Sequence, residues 1–313
     1  MDLKSKLRRL WGSEDFWMLA YISVLTYAVS LVFFTVLFLA APYLITSENS
    51  FIRGLGAVAY NSVSLFKMCH QLPERSLFIG GVQFPICARC LGIYIGGSIG
   101  AIAAFIAGRP KFLSGKVLLV LFVALTAPMA IDGVTQTLLY ARESSNGLRL
   151  VTGLLFGFGL LYPIGSVVFA KARRLSSEKR QVEFMSLAVN GFVVLLVLAA
   201  GVYAGMHYLS QADAFVHAGR VISFTVAETR LFYIPPNAVA NVRYDPYLKS
   251  YNDAVLSDIA RINYDSHPHG LWAVVFLVEP PAYEGKVVYY SSGGSECVYL
   301  DAWTGEVAFR STH

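Results

Sequence analysis

Cys87-Ala88-Arg89-Cys90-Leu91-Gly92-Ile93-Tyr94-Ile95-Gly96-Gly97-Ser98-Ile99-Gly100 passes without a break from a pair of thiols into an apolar run. Gly92, Gly96 and Gly100 recur every fourth position, so they share one helical face and let another helix approach closely. The run stays apolar to about Ala107, long enough to cross a ~30 Å hydrocarbon core. Pro85 places Cys87 at or near its start. The stretch therefore predicts a membrane helix that opens on a Cys-x-x-Cys pair.

The rest of the chain fits that reading. Of 313 residues, 56% are hydrophobic and only 14% charged, against about 25% charged in soluble domains. The charge deficit lies before about Leu209, and the residues beyond it have ordinary soluble composition. Two parts are expected: a transmembrane domain over 1–209 and a soluble domain over 210–313. The fold class is an all-α polytopic membrane bundle of about five transmembrane helices, with an interfacial or re-entrant helix, followed by a small α+β domain. The net charge of +5 sits mostly in short loops between spans. No basic patch is interleaved with aromatics, so nucleic acid is not an expected partner. Four cysteines are too few for a disulfide scaffold.

Working outward, the first span lies in the uncharged run from Phe16 to Ser47, too long for a signal-peptide core. Phe51–Met68, interrupted by Arg53, Asn61 and Lys67, reads as the interfacial or re-entrant helix. The third span covers about Val117 to Tyr140 and carries Asp132 and Gln136 on one face. A polar hairpin through Arg142, Glu143, Asn146 and Arg149 leads into the fourth span, with Gly153 and Gly157 four apart. The fifth span covers about Ser186 to Leu209.

With a cytoplasmic N-terminus, the inside segments hold twelve Lys/Arg and the outside segments before the soluble domain hold six. The positive-inside rule favours that orientation and predicts an extracytoplasmic C-terminal domain. Cys69, Cys87, Asp132 and the hairpin at Glu143–Arg149 then converge on one membrane face. Expected partners are the lipid bilayer, a substrate at the membrane surface, and a protein partner for the soluble domain.

The soluble domain begins with a tether near Ser210. Tyr251–Ile262 reads as a short helix. Gly270–Val278, Lys286–Tyr290, Cys297–Leu300 and Glu306–Phe309 read as strands. Its last hairpin, Val298 to Val307, resembles the closing hairpin of PepSY-type domains, which implies a small regulatory or inhibitory module.

Three cysteines and a histidine stand together in Cys69-His70-Gln71 and Cys87-Ala88-Arg89-Cys90, and three chemistries remain open. Cys69, His70, Cys87 and Cys90 form a ligand set of the kind zinc favours. Asp132 or Glu143 would serve as general base, and Arg149 or Arg89 would hold an anionic substrate, in a metal-assisted hydrolase or transferase. Adjacent Cys69 and His70 reach one ion only through a strained turn, so Asp132 or His70 competes for the fourth position. Alternatively, Cys87 and Cys90 cycle as a disulfide with Cys69, as in a membrane thiol–disulfide oxidoreductase. The third reading is structural: a non-enzymatic receptor or assembly factor whose Cys/His cluster only holds a loop. His267-Pro-His269 is a weaker metal candidate, read as solvated. His207 is read as interfacial and Cys297 as a buried strand thiol.

The motifs Cys69-His70-Gln71, Pro73-Glu74-Arg75-Ser76, Cys87-Ala88-Arg89-Cys90-Leu91-Gly92 and Asp132…Gln136…Glu143-Ser144…Asn146…Arg149…Thr152-Gly153 resemble one family. It comprises predicted prokaryotic membrane proteins catalogued as a domain of unknown function. The resemblance covers roughly Val58 to Phe158. It implies a shared site and no particular reaction.

Overall fold

The computed structural model describes residues 13–72, 75–80, 82–108, 114–137, 144–172, 179–220, 226–235, 258, 261–262, 267–278 and 295–312. Seven helices are described: α1 (Glu14–Ile45), α2 (Ser50–Leu65), α3 (Ala88–Ala107), α4 (Gly115–Thr137), α5 (Asn146–Ala172), α6 (Lys179–His207) and α7 (Gln211–Gly219). Six strands accompany them: β1 (Ser76–Ile79), β2 (Val82–Cys87), β3 (Val226–Ile234), β4 (Leu271–Val278), β5 (Ser295–Asp301) and β6 (Val307–Thr312). Five helices, α1 and α3 to α6, are long and apolar enough to cross a membrane. The protein is a multi-pass membrane protein with a small C-terminal sheet.

The chain divides into two compact units. Met1–Leu37 with Ala88–Leu196 forms one, and Phe38–Cys87 with Val197–His313 forms the other. The expected boundary at 209/210 falls inside the second unit.

In the first unit, α3 and α5 meet glycine to glycine. A Cβ on Gly96 would stand 2.0 Å from the Leu154 carbonyl oxygen, and one on Gly153 would stand 2.3 Å from that of Arg89. The four-residue glycine spacing in both spans is thus a packing face. Such close backbone approach gives dispersion contact where lipid offers no hydrophobic drive between helices. α1 lies alongside, with Trp17 and Tyr21 packed on Ala104 and Phe169, and Leu31 on Ala101 and Leu161. α1 and α6 are joined by a ladder of side-chain hydrogen bonds: Tyr21 to Glu183 at 2.9 Å, Thr26 to Ser186 at 3.1 Å and Ser30 to Asn190 at 2.8 Å.

In the second unit, α2 is the helix expected between spans one and two. Asn49 caps it by accepting from the Ile52 amide, a service its short carboxamide side chain performs well. A Cβ on Gly54 would stand 1.8 Å from the Gly201 carbonyl oxygen, so α2 abuts the end of α6 directly. Arg53, which interrupted the apolar pattern, is buried. It donates to the carbonyls of Tyr208 (2.8 Å), Ser47 and Glu48 (3.0 Å each), just beyond the C-termini of α6 and α1. A cation there satisfies orphan carbonyls and complements both helix dipoles. Asn61 donates to the Tyr208 hydroxyl.

Two elements depart from expectation. Ser210 is the cap of α7, accepting from the Asp213 amide at 3.0 Å, where a tether was expected. β3 was not anticipated; it forms one edge of an antiparallel sheet of order β3-β4-β5-β6. β4, β5 and β6 match expected strands to within a few residues. The strand expected at Lys286–Tyr290 and most of the helix expected at Tyr251–Ile262 lie outside the described residues.

Candidate metal centre at a strand-to-helix junction

The segment between α2 and α3 folds back as an antiparallel hairpin, with Ser76 opposite Cys87, Phe78 opposite Gln83 and Ile79 opposite Val82. Gly80 turns the chain at φ +57°, a conformation glycine adopts without steric cost. Pro85 sits opposite the register shift between Ser76 and Phe78, where its missing N–H leaves no ladder bond unmade. All six residues of β2 are buried. β2 passes at Cys87 straight into α3, so Cys87 ends a strand and Cys90 lies in the first turn of a helix.

Buried amides hold the Cys-His-Gln loop against β2. Gln71, at φ +52°, is fully buried. Its Nε2 donates to the Pro85 carbonyl at 2.7 Å and the Tyr60 carbonyl at 3.3 Å. Gln83, also fully buried, donates to the Gln71 carbonyl and, at 3.1 Å, to Ser76 Oγ. The Tyr60 hydroxyl donates to the Gln83 carbonyl. Every one of these groups would cost roughly 1–3 kcal/mol if buried without a partner, so the network fixes the loop.

Held this way, Cys69 reaches the junction. Its sulfur accepts from the Cys87 amide at 3.2 Å. The sulfurs of Cys69, Cys87 and Cys90 all lie within 4.8 Å of one another. Cys69 and Cys87 are buried and Cys90 is partly so.

The other expected residues are placed differently. His70 is exposed and is not part of the three-sulfur group. Cys69 turns inward while its neighbour turns out, because adjacent side chains leave the backbone in different directions. Asp132 is buried, but its partner is Arg89, which forms an ion pair with it. Arg89 also reaches Gln136 at 3.1 Å. Asp132 and Gln136 do share a face of α4, and that face holds the guanidinium lying between the two cysteines in sequence. Arg149 is buried in the first turn of α5 and donates to Asn146 Oδ1 at 2.9 Å. Asn146 begins that helix, where it was expected in a hairpin turn. Glu74 and Glu143 lie outside the described residues.

The structural amides Gln71 and Gln83 and the phenol of Tyr60 were missed as contributors. A polar Gln83 amid Val82, Phe84 and Ile86 was the available signal. In the turn before β4, His267 pairs through Nδ1 with Asp301 at 2.8 Å and His269 stacks on Trp303; neither is the solvated loop histidine expected. Cys297 is a fully buried strand residue, as read.

The model of the predicted membrane protein family DUF2085 matches residues 69–162. An uncharacterized protein of Methanocaldococcus jannaschii is 39% identical over 142 residues, which are 44% of this chain and 87% of that protein. An uncharacterized protein of Methanothermobacter thermautotrophicus is 45% identical over 93 residues, 30% of this chain and 80% of that one. No solved structure matches. The matched residues begin at Cys69 and take in the thiol junction, the Arg89–Asp132 pair and the glycine face between α3 and α5, and the chain belongs to the DUF2085 family of predicted membrane proteins.

Proposed function

We propose that Cys69, Cys87 and Cys90 are the protein ligands of a transition-metal centre, with zinc the ion their donor chemistry suits best. The observation that carries this reading is the mutual approach of three sulfurs within 4.8 Å. Tetrahedral ligands at a Zn–S distance of about 2.3 Å stand roughly 3.8 Å apart, which lies inside that bound. Three protein ligands leave a fourth position, as in catalytic rather than structural zinc sites. A metal there would act as a Lewis acid toward a bound water or an anionic group. This is the chemistry of a hydrolase or transferase working at the membrane surface, on the extracytoplasmic side that the positive-inside count favours. Arg89, tethered by Asp132 and Gln136, fixes the first turn of α3 on which Cys90 rides. The regulatory role implied by the PepSY resemblance would fall to the C-terminal sheet.

The same thiols support one rival. Cys87 and Cys90 have redox-pair spacing at a helix N-terminus, where a thiolate is reactive. One experiment separates the two: elemental analysis of protein purified in detergent without chelator or reductant, beside Cys87→Ser. About one zinc per chain, lost in the variant, supports the centre. Cobalt replacement should then give intense sulfur-to-metal charge-transfer absorption. No metal in the parent, with a thiol gained in Cys87→Ser, means a disulfide and sinks the metal reading.

A further inference from the structure

Of the six histidines in the chain, four gather at the turn between β5 and β6. His207, at the end of α6, and His269, before β4, stack on Trp303 with centroids 4.6 and 4.4 Å away and interplanar angles of 12° and 22°. His217 of α7 faces the Gly305 carbonyl through Nδ1 at 3.0 Å, and His267 pairs with Asp301. Asp301 shapes the turn by accepting from the Trp303 and Thr304 amides at 2.9 Å each. The turn is stitched to α6 and to the segment before β4 by two backbone bonds, Leu209 N–H to the Ala302 carbonyl and Ala302 N–H to the Gly270 carbonyl.

The four histidines do not have the same surroundings. His207 lies flat on the indole face of Trp303, with its centroid 4.6 Å away. His217 has a carbonyl to donate to, and His267 a carboxylate. His269 differs: its Nδ1 is buried and has no hydrogen-bond partner among the described residues. The groups around its ring and backbone among the described residues are Trp303, Tyr208, whose ring edge lies 6.1 Å away, Asp301, and the hydroxyls of Tyr208 and Tyr233, which both donate to the His269 carbonyl, at 3.2 and 3.0 Å. Asp301 is already engaged by His267 and two amides. A charged N–H at that nitrogen would be buried with no acceptor among the described residues, a costly state for an ion.

We propose that the β5–β6 turn is a proton-operated clasp: neutral His269 holds Trp303 against His207, and protonation of His269 releases the turn from the end of α6. Burial lowers the His269 pKa from its ordinary 6.5, with Asp301 opposing more weakly. The clasp is therefore at full strength above pH 6.5 and weakens as pH falls toward the depressed folded value, because the opened state takes the proton first. Solvent supplies the proton, and no other reactant is needed.

The test uses the full chain in detergent micelles. Acrylamide quenching of Trp303, taken as wild type minus Trp303→Phe, is followed from pH 7.5 to 5.0. The quenching constant should rise at least twofold, with a midpoint below 6.5. His269→Phe, which keeps a flat ring on the indole, should abolish the rise, and His207→Phe should retain it. A rise that persists in His269→Phe, or no rise in wild type, overturns the proposal. Should His269→Phe not fold, hydrogen exchange at the Leu209 and Ala302 amides of wild type decides instead. Protection lost with the same midpoint supports the clasp, and protection unchanged to pH 5.0 refutes it.

Discussion

Arg89 on α3 forms an ion pair with Asp132 on α4, and the carboxylate side chain is only 2% exposed. Gln136, one turn further along α4, accepts from the same guanidinium nitrogen. An ionisable pair within helices that cross a membrane is expensive unless mutually satisfied, and here it doubles as the tether of the cysteine-bearing turn. Removing one partner of such a pair typically costs about 3–5 kcal/mol, and removing both costs much less. Asp132→Ala should therefore destabilise more than Asp132→Ala combined with Arg89→Met. A double-mutant cycle on unfolding in mixed detergent measures this, and simple additivity would dismiss the pair as an energetic unit.

The glycine face gives a graded prediction. Gly96→Ala places a methyl 2.0 Å from a backbone oxygen, whereas Gly133 and Gly191 have nothing within 4 Å of the added carbon. Gly96→Ala should destabilise by roughly 1–3 kcal/mol through forced separation of α3 and α5. Gly133→Ala and Gly191→Ala should be neutral or stabilising by up to about 1 kcal/mol, since alanine is the better helix former. Equal melting temperatures for all three variants would contradict the packing assignment.

Gln71 predicts a link between stability and thiol access. Gln71→Ala leaves the buried Pro85 and Tyr60 carbonyls without its donor, a loss of roughly 1–3 kcal/mol. The Cys69 loop should then open locally before the protein unfolds. Alkylation of Cys69 and Cys87, counted by intact mass, should accelerate at least several-fold at temperatures where wild type is protected. A variant that melts earlier with unchanged alkylation below its transition would count against a local latch.

Asp301 adds an acid limb to the stability of the sheet. Burial alone would raise its pKa, but bonds from the Thr304 amide, His267 and the Trp303 amide outweigh it and hold the carboxyl below its ordinary 3.8. A depressed carboxylate contributes stability that is complete above the unfolded pKa and is lost as pH falls through the folded one. Melting temperature should thus drop below about pH 4 in wild type, and Asp301→Asn should flatten that limb while lowering stability at pH 7. An unchanged acid limb in Asp301→Asn would assign the loss to other carboxylates.

The membrane class, the five spans, the helix between spans one and two and the glycine packing face were legible in the chain. Each rests on local regularity: apolar runs of sufficient length, residues four apart on one helical face, charges confined to loops. The cysteines were legible as a group for a related reason, since polar and reactive residues beside membrane spans stand out against an apolar background. β2 was not legible, because a fully buried strand containing Pro85 shows neither alternation nor an unbroken β-forming run. Only tertiary structure decided which candidates meet. It brought Cys69 to Cys87 and Cys90 while turning His70 outward, gave Asp132 to Arg89, and buried Gln71 and Gln83 as the frame of the loop. It also drew four histidines from three separate segments to one turn. Such choices depend on which partners lie close across long sequence separations and on whether each buried polar group finds one, and no local pattern encodes that.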